Sequence, residues 1–308
     1  MNKKPLILRI LKISLLIIVL FIVLFIISAI FIIVNHDRDN EYSAIDIARG
    51  DAYNRGDAYL KKGDYDRAIS EYTLVIRLDS NSARAYNNRG NAYAKKGDYD
   101  KAISDYDEAI RLDPKDAWVY VWVYHNRGDA YSEKGDYDKA ISDYTEAIRL
   151  YPKDAWAYNN RGEAYSEKGD YDKAISDYTQ AIRLNPKDAW AYNNRGEAYA
   201  EKGDHDKAIS DYTQAIRLDP KNAKWAYNYR GNAYSEKGDY NKAISDYTQA
   251  IWLDPKAAGV YNNRGEAYAE KGDYDKAIAD YESALRIDPN NSDVREALEN
   301  LKRKEQEQ

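Results

Sequence analysis

The strongest constraint on this 308-residue chain is a repeat of about 34 residues that begins near residue 49. Each copy contains an Arg-Gly dipeptide, and successive dipeptides lie 34, 38, 34, 34, 35 and 34 residues apart. The glycines of these dipeptides are Gly56, Gly90, Gly128, Gly162, Gly196, Gly231 and Gly265. This period predicts an array of small supersecondary units, because one such unit cannot bury its apolar face without neighbours.

The copy at residues 155–188 indicates that each unit is a pair of helices. Tyr158, Gly162 and Tyr165 recur at i, i+4 and i+7, which places them on one face of a first helix. Asp154 can cap the start of that helix, and Gly169 can adopt the left-handed conformation that ends it. A second apolar stripe and its closing proline follow, at Ala174, Ile175, Tyr178, Ala181, Ile182 and Pro186.

This pattern resembles the tetratricopeptide repeat (TPR), which has a large residue, a Leu-Gly pair, two aromatics, two alanines and a proline at fixed unit positions. Those places hold Tyr158, Arg161-Gly162, Tyr165, Ala174, Tyr178, Ala181 and Pro186, so arginine replaces the usual leucine. The resemblance covers residues 49–291. It implies an all-α, right-handed superhelical solenoid of seven helix-turn-helix units.

The predicted repeats occupy 49–82, 83–116, 121–154, 155–188, 189–222, 224–257 and 258–291, followed by a capping helix and tail at 292–308. An inserted Val-Tyr-Val-Trp before the third repeat adds about one helical turn, so that first helix should lengthen. The extra residue near Lys224 should be absorbed in a loop between repeats. Ser292-Asp293 can cap the last helix, whose apolar residues are Val294, Leu298 and Leu301.

The N-terminal segment predicts a membrane anchor. Residues 13–34 contain no charge, and a helix of that length spans about 33 Å, which exceeds the roughly 30 Å of a hydrocarbon core. A cleaved secretory signal fits less well, because its apolar core usually runs only about 7–15 residues. We therefore predict an N-terminal tail at 1–12, a transmembrane signal anchor at 13–34 and a linker at 35–48.

Flanking charge predicts the orientation of that anchor. Lys3, Lys4, Arg9 and Lys12 precede the apolar run, and basic flanks usually stay in the cytoplasm. The repeats should then lie on the extracytoplasmic side of a single-pass membrane protein, most simply in a bacterial periplasm. The alternative is an organelle import receptor of similar layout, whose repeats would face the cytosol.

Composition narrows the class of partner. The chain carries a net charge of −6, and the first 34 residues hold four basic and no acidic residues, which leaves −10 on the remainder. An acidic surface repels polyphosphate, so we expect no nucleic-acid ligand. The chain has no cysteine and only three histidines, which lie far apart, so we expect no catalytic site, metal or cofactor.

The resemblance also implies which residues face the partner, because first helices of the family line a concave groove. The groove columns are rich in tryptophan, asparagine and glutamate, which suit anchoring, peptide-backbone hydrogen bonding and selection of basic segments. The predicted groove residues are Trp122, Asn126, Trp156, Asn159, Asn160, Glu163, Trp190, Asn193, Asn194, Glu197, Trp225, Asn228, Asn262 and Asn263. An alternative is that the asparagines are only solvated helix positions, copied with the unit.

The repeated arginine has two interpretations. It could form a basic ladder along the groove, or it could pair with the acid found sixteen residues later in every unit, such as Arg161 with Asp177. We favour the pair.

The predicted function is a non-catalytic scaffold that binds a protein or peptide, basic or extended, in the groove. The alternative is a structural component that assembles with copies of itself.

Overall fold

The structure, a computed structural model, describes residues 20, 23–28, 30, 44–112 and 117–306. Within these residues the chain forms helices joined by short turns, and none of them lies in a strand. The chain divides into two compact units, residues 1–113 and 114–308. The prediction of an all-α array of helical hairpins is confirmed.

The first unit contains two hairpins. Helix α1 covers 44–61, α2 covers Tyr65–Leu78, α3 covers Ala83–Lys95 and α4 covers Tyr99–Leu112. Ala52, Val75 and Ala85, one from each of the first three helices, form a buried cluster that joins the first hairpin to the second.

The second unit contains five hairpins and a final helix. Its helices are α5 (Ala117–Glu133), α6 (Tyr137–Leu150), α7 (Ala155–Glu167), α8 (Tyr171–Leu184), α9 (Ala189–Glu201), α10 (His205–Leu218), α11 (Lys224–Glu236), α12 (Tyr240–Leu253), α13 (Ala258–Glu270), α14 (Tyr274–Ile287) and α15 (Ser292–Gln306). Each helix packs on the next one along the chain, and the first helices α5, α7, α9, α11 and α13 also contact one another in order. The first helices therefore form one continuous layer.

Each hairpin is closed by a tyrosine ring that lies against a glycine. A Cβ atom built on Gly162 would lie 2.8 Å from Cε1 of Tyr178, a separation that real Cβ atoms essentially never show. The same approach recurs in all seven hairpins, at 2.6–2.9 Å. Tyr178 is 2% exposed, and its neighbours Ala174 and Ala181 are equally buried. The glycine of the first helix thus admits the large ring of the second, and the small alanines on either side of that ring keep the second helix close to its neighbours.

The predicted helix boundaries of the unit at 155–188 are confirmed by their caps. The Asp154 side chain accepts hydrogen bonds from the backbone N–H groups of Trp156 and Ala157 at the start of α7. Gly169 has a φ of 76°, the left-handed conformation that favours glycine, in the turn between α7 and α8.

The two length changes are also accommodated as predicted. Helix α5 has 17 residues, whereas α7 and α9 have 13 each, so the insertion lengthens one helix by about a turn. The loop before Lys224 is one residue longer than the loop before Ala189. The repeat itself is unchanged by either addition.

The last helix covers the end of the array, as predicted. Val294, Leu298 and Leu301 are buried and pack against α14. The predicted cap at Ser292-Asp293 is wrong: the side-chain oxygen of Asn291 accepts the hydrogen bond from the backbone N–H of Val294, at 3.1 Å. Asparagine caps as well as serine does, and it precedes the helix by one residue.

The repeated arginine pairs with the acid of its own hairpin. Nε and Nη2 of Arg161 donate to the two carboxylate oxygens of Asp177, at 2.7 and 2.8 Å, and the Asp177 side chain is 9% exposed. Hydrogen bonding to Asp177 raises the pKa of the Arg161 guanidinium. All seven hairpins contain such a two-bond pair, with Glu71 as the acid in the first. The prediction that each repeated arginine pairs with the acid sixteen residues later is therefore confirmed.

The third nitrogen of the guanidinium, Nη1, joins neighbouring hairpins. Nη1 of Arg161 donates to Oγ1 of Thr145 on α6, at 3.0 Å, and the hydroxyl of Thr145 donates to the carbonyl of Ile141. Equivalent bonds connect Arg195 to Thr179 and Arg264 to Thr248. One side chain thus holds its own hairpin closed and attaches it to the preceding hairpin.

The membrane prediction requires correction. Most of the predicted anchor at 13–34, the predicted tail at 1–12 and most of the linker at 35–48 lie outside the described residues. In the part of the chain that the structure describes, no helix has both the length and the apolar character to cross a bilayer. The prediction of a single-pass membrane protein with an extracytoplasmic repeat domain is contradicted by this finding.

Because Gly162 contacts the ring of Tyr178, adding a methyl group there should destabilise the protein, whereas adding one at a glycine with open space should not. In the full chain, Gly162→Ala should lower the free energy of unfolding by about 1–3 kcal/mol, because the buried ring cannot retreat without disturbing its neighbours. Gly259→Ala is the control, since its added Cβ has open space and favours helix. Urea unfolding followed by circular dichroism measures both; equal effects would contradict the packing argument.

Removal of the buried acid should also destabilise the array. Asp177→Ala leaves the Arg161 guanidinium without its carboxylate, and we expect a loss of about 3 kcal/mol. Asp172→Ala is the matched control, because Asp172 lies on the same helix, is 82% exposed and pairs with Lys202. That exposed pair should contribute less than about 1 kcal/mol. An unchanged thermal transition for Asp177→Ala would instead favour a ligand-binding role for Arg161.

Candidate functional site

The predicted groove residues all lie on the layer of first helices. Each of α5, α7, α9, α11 and α13 contributes at least two of them, and these helices contact one another in chain order. We call the exposed surface of these five helices the first-helix face. Whether this face binds a partner stays a prediction, but the fold does bring its residues together.

Tryptophan is the main exposed apolar group of the first-helix face. Trp122, Trp156, Trp190 and Trp225 occupy the same unit position on successive first helices, and they are 51%, 43%, 57% and 52% exposed. The ring centres of Trp122 and Trp156 are 6.1 Å apart. Large exposed indoles at a regular spacing are suited to anchoring a second chain, because each can bury much apolar area on binding.

The asparagines are less open than the sequence suggests. Asn159 is 3% exposed and Asn228 is 8% exposed, so these two predicted groove residues are buried. The Asn263 amide donates to the side-chain oxygen of Asn228, at 3.2 Å, from the next first helix. Asn194 approaches Asn159 in the same way, at 3.5 Å. These amides join adjacent hairpins, so Asn159 and Asn228 already have partners within the chain, and their predicted role in partner binding stays a prediction.

Other asparagine amides hydrogen-bond to the unit position that holds Asp129, Glu163 and Glu197 in successive repeats. Asn160 donates to a carboxylate oxygen of Asp129, at 3.1 Å, and the hydroxyl of Tyr144 donates to the same oxygen at 2.7 Å. Burial raises the pKa of the Asp129 carboxyl. Asp129 is therefore part of the connection between the third and fourth repeats rather than a free ligand group.

Two glutamates of the same column remain available. Glu163 and Glu197 are exposed, and in the described residues neither accepts a hydrogen bond nor forms an ion pair. Desolvation, and then repulsion from Glu167 and Asp129, raises the pKa of the Glu163 carboxyl. Desolvation and Glu201 raise that of Glu197. A cation placed between these carboxylates would relieve their repulsion.

His125 carries a structural role that the sequence did not indicate. It occupies the unit position of Asn159, is completely buried, and its Nε2 lies 2.7 Å from the carboxylate of Asp154. Its ring stacks on Trp156, with 4.6 Å between ring centres. The only signal was that a histidine replaces asparagine in this column. In the described part of the chain, no group of three or more His, Asp or Glu residues is arranged to hold a metal ion.

A pocket between α9, α10 and α11 was also missed. It has a volume of about 400 Å³ and contains Glu197, Glu201, His205, Tyr212, Tyr229 and Glu236. Its signal in the sequence is that histidine and tyrosine appear here in columns where the other repeats have different residues.

Matches to models of known protein families agree with the array of helical hairpins seen in the structure. Tetratricopeptide repeat models match residues 81–153, 143–176, 189–222, 211–245 and 230–292, and a TPR repeat model matches 56–97 and 162–203. None of the curated proteins matches the chain.

Solved structures with the same fold cover most of the array. A tetratricopeptide repeat protein from Parabacteroides merdae is 20% identical over 82% of this chain and 98% of its own, with a TM-score of 0.63. The MamA protein is 30% identical over 58% of this chain and 95% of its own, with a TM-score of 0.51. YrrB, described as a TPR protein with an unusual peptide-binding site, is 23% identical over 62% and 96%, with a TM-score of 0.52.

Proposed function

Because this chain belongs to the tetratricopeptide-repeat family, we propose that it is a non-catalytic scaffold that binds an extended, basic segment of another polypeptide on its first-helix face. TPR proteins are in general protein-interaction scaffolds, which supports the class of function. The observation that carries the proposal is the row of exposed tryptophans together with the unpaired Glu163 and Glu197, which lie two helical turns after Trp156 and Trp190 on the same helices.

The tryptophans and the two glutamates would bind different parts of the same partner. Tryptophan provides apolar anchors that gain free energy when a partner covers them, whereas the glutamates favour lysine or arginine and disfavour acidic segments. The peptide-binding site of YrrB shows that a related fold accepts a peptide, and an extended segment would contact several successive first helices here.

A tryptophan substitution tests this assignment. Trp190→Ala should weaken binding of a fluorescein-labelled, unstructured basic peptide by at least about tenfold, which corresponds to about 1.4 kcal/mol, in fluorescence anisotropy with the full chain. Trp190 is preferred because, among the described residues, no other aromatic ring packs on it, so its loss should leave the fold intact.

Trp252→Ala is the matched control. Trp252 is 75% exposed on α12, a second helix, and therefore lies off the first-helix face. If both variants weaken binding equally, or if an acidic peptide binds as well as the basic one, the proposed face is wrong. Light scattering of the same samples detects self-assembly, which would favour the structural alternative.

The raised pKa values of Glu163 and Glu197 give the binding a pH dependence. A cationic peptide favours the ionised carboxyls, so its affinity should fall as the pH is lowered from neutrality through the raised pKa values of Glu163 and Glu197 and both groups take up protons. Anisotropy titrations across this range measure the effect.

The stability of the free protein responds in the opposite direction. A carboxyl whose pKa is raised by folding stabilises the native state below its unfolded pKa, and that contribution is lost as the pH rises through the native value. Weaker binding at low pH is therefore not explained by unfolding through these two groups. Glu163→Gln with Glu197→Gln should flatten the pH profile; an unchanged slope would contradict the assignment.

A further inference from the structure

The repeats are close copies, yet two unit columns change in only one place each. The first residue of the second helix is tyrosine in six repeats and His205 in the fifth. The residue before the repeated arginine is asparagine in six repeats and Tyr229 in the sixth. The fold brings both exceptions into the pocket between α9, α10 and α11.

One side of this pocket is aromatic. The ring centres of Tyr212 and Tyr229 are 5.9 Å apart, and Tyr229 stacks on Trp225 with 6.2 Å between centres. Trp225 is about half exposed and belongs to the tryptophan row. The three rings therefore lead from the first-helix face into the pocket.

The other side is acidic and rich in hydrogen-bond acceptors. Glu197, Glu201 and Glu236 line it, and within residues 117–306 none of the three forms an ion pair. The nearby lysines do not neutralise them, because Lys202 pairs with Asp172 and Lys237 pairs with Asp206.

In the tautomer that carries its proton on Nε2, the histidine adds a further acceptor. Nδ1 of His205 is buried and has no hydrogen-bond partner in the described structure, although a buried polar atom usually has one. A tyrosine in this column, as in the other repeats, would not present a ring nitrogen there.

We infer that this pocket binds the side chain of an arginine in the partner segment. The inference rests on the proposed function and specifies it, since it locates one residue of the bound chain. The guanidinium group is planar, carries five N–H donors and stacks on aromatic rings, so it can contact Tyr229 and the carboxylates at once. A pocket of about 400 Å³ accommodates a side chain of that size.

Lysine fits the pocket less well. An ammonium group is a compact, strongly hydrated charge with three donors, and it gains less from flat rings and spread acceptors. We therefore expect arginine to be preferred over lysine, and both over an uncharged side chain of the same shape.

The test uses the full chain and three labelled nonapeptides of Gly, Ser, Asn and Leu that differ only at the centre, which holds arginine, lysine or citrulline. Citrulline keeps the shape of arginine and removes its charge. The arginine peptide should bind at least about tenfold more tightly than the citrulline peptide. His205→Tyr combined with Tyr229→Asn should reduce this preference at least severalfold, because it removes the ring and the ring nitrogen while the three carboxylates remain.

This double variant restores the residues of the other repeats, so it should fold with an unchanged thermal transition. Tyr171→His makes the same type of exchange one hairpin earlier and should leave the preference intact. Equal binding of the arginine and citrulline peptides, or a full preference in the double variant, would overturn the arginine pocket. If Trp190→Ala still weakens all three peptides in that case, the first-helix face survives; if no peptide binds, both proposals fail.

Discussion

The contact on which this structure depends is the tyrosine ring that lies against the glycine of each hairpin. It sets the distance between the two helices, because any side chain on the glycine would occupy the space of the ring. The buried alanines beside it, such as Ala174 and Ala181, allow the same close approach over the full length of the hairpin. Since the contact recurs in all seven units, hairpin geometry is nearly constant and the variable residues fall on a regular framework.

The connection between hairpins uses polar groups as well as buried apolar ones. The guanidinium of Arg161 reaches Asp177 in its own hairpin and Thr145 in the preceding one. On the layer of first helices, Asn263 reaches Asn228. Directional hydrogen bonds fix the orientation of one hairpin on the next, which the small apolar area of an alanine-rich interface would specify poorly.

The sequence was sufficient to predict the features that depend on local helix and turn preferences or on residues repeated in every unit. The left-handed Gly169 and the pairing of Arg161 with Asp177 follow from a glycine and an arginine–acid spacing that all seven units share. The cap at Asp154 follows from the general preference for aspartate at helix starts, and the lengthened α5 follows from an insertion of about one helical turn. Burial of Asn159 could not be predicted in this way, because helical periodicity gives the direction of a side chain but not the position of the next helix. The buried position of His125 and the pocket at His205 arise where a single repeat departs from the shared pattern. A single sequence does not show which of its many departures have structural consequences. The predicted membrane anchor rested on hydropathy alone, and no helix in the described residues supports it.

The division of aromatic residues between core and surface has a spectroscopic consequence. Apart from His125 the buried rings are tyrosines, whereas the tryptophans whose side chains are described are all 43–75% exposed. Indole emission of the native protein should therefore resemble that of water-exposed tryptophan and change little on unfolding. It would instead shift when a ligand covers the indoles of α5 to α11, so the intrinsic fluorescence of this chain reports occupancy of its surface rather than the integrity of its interior.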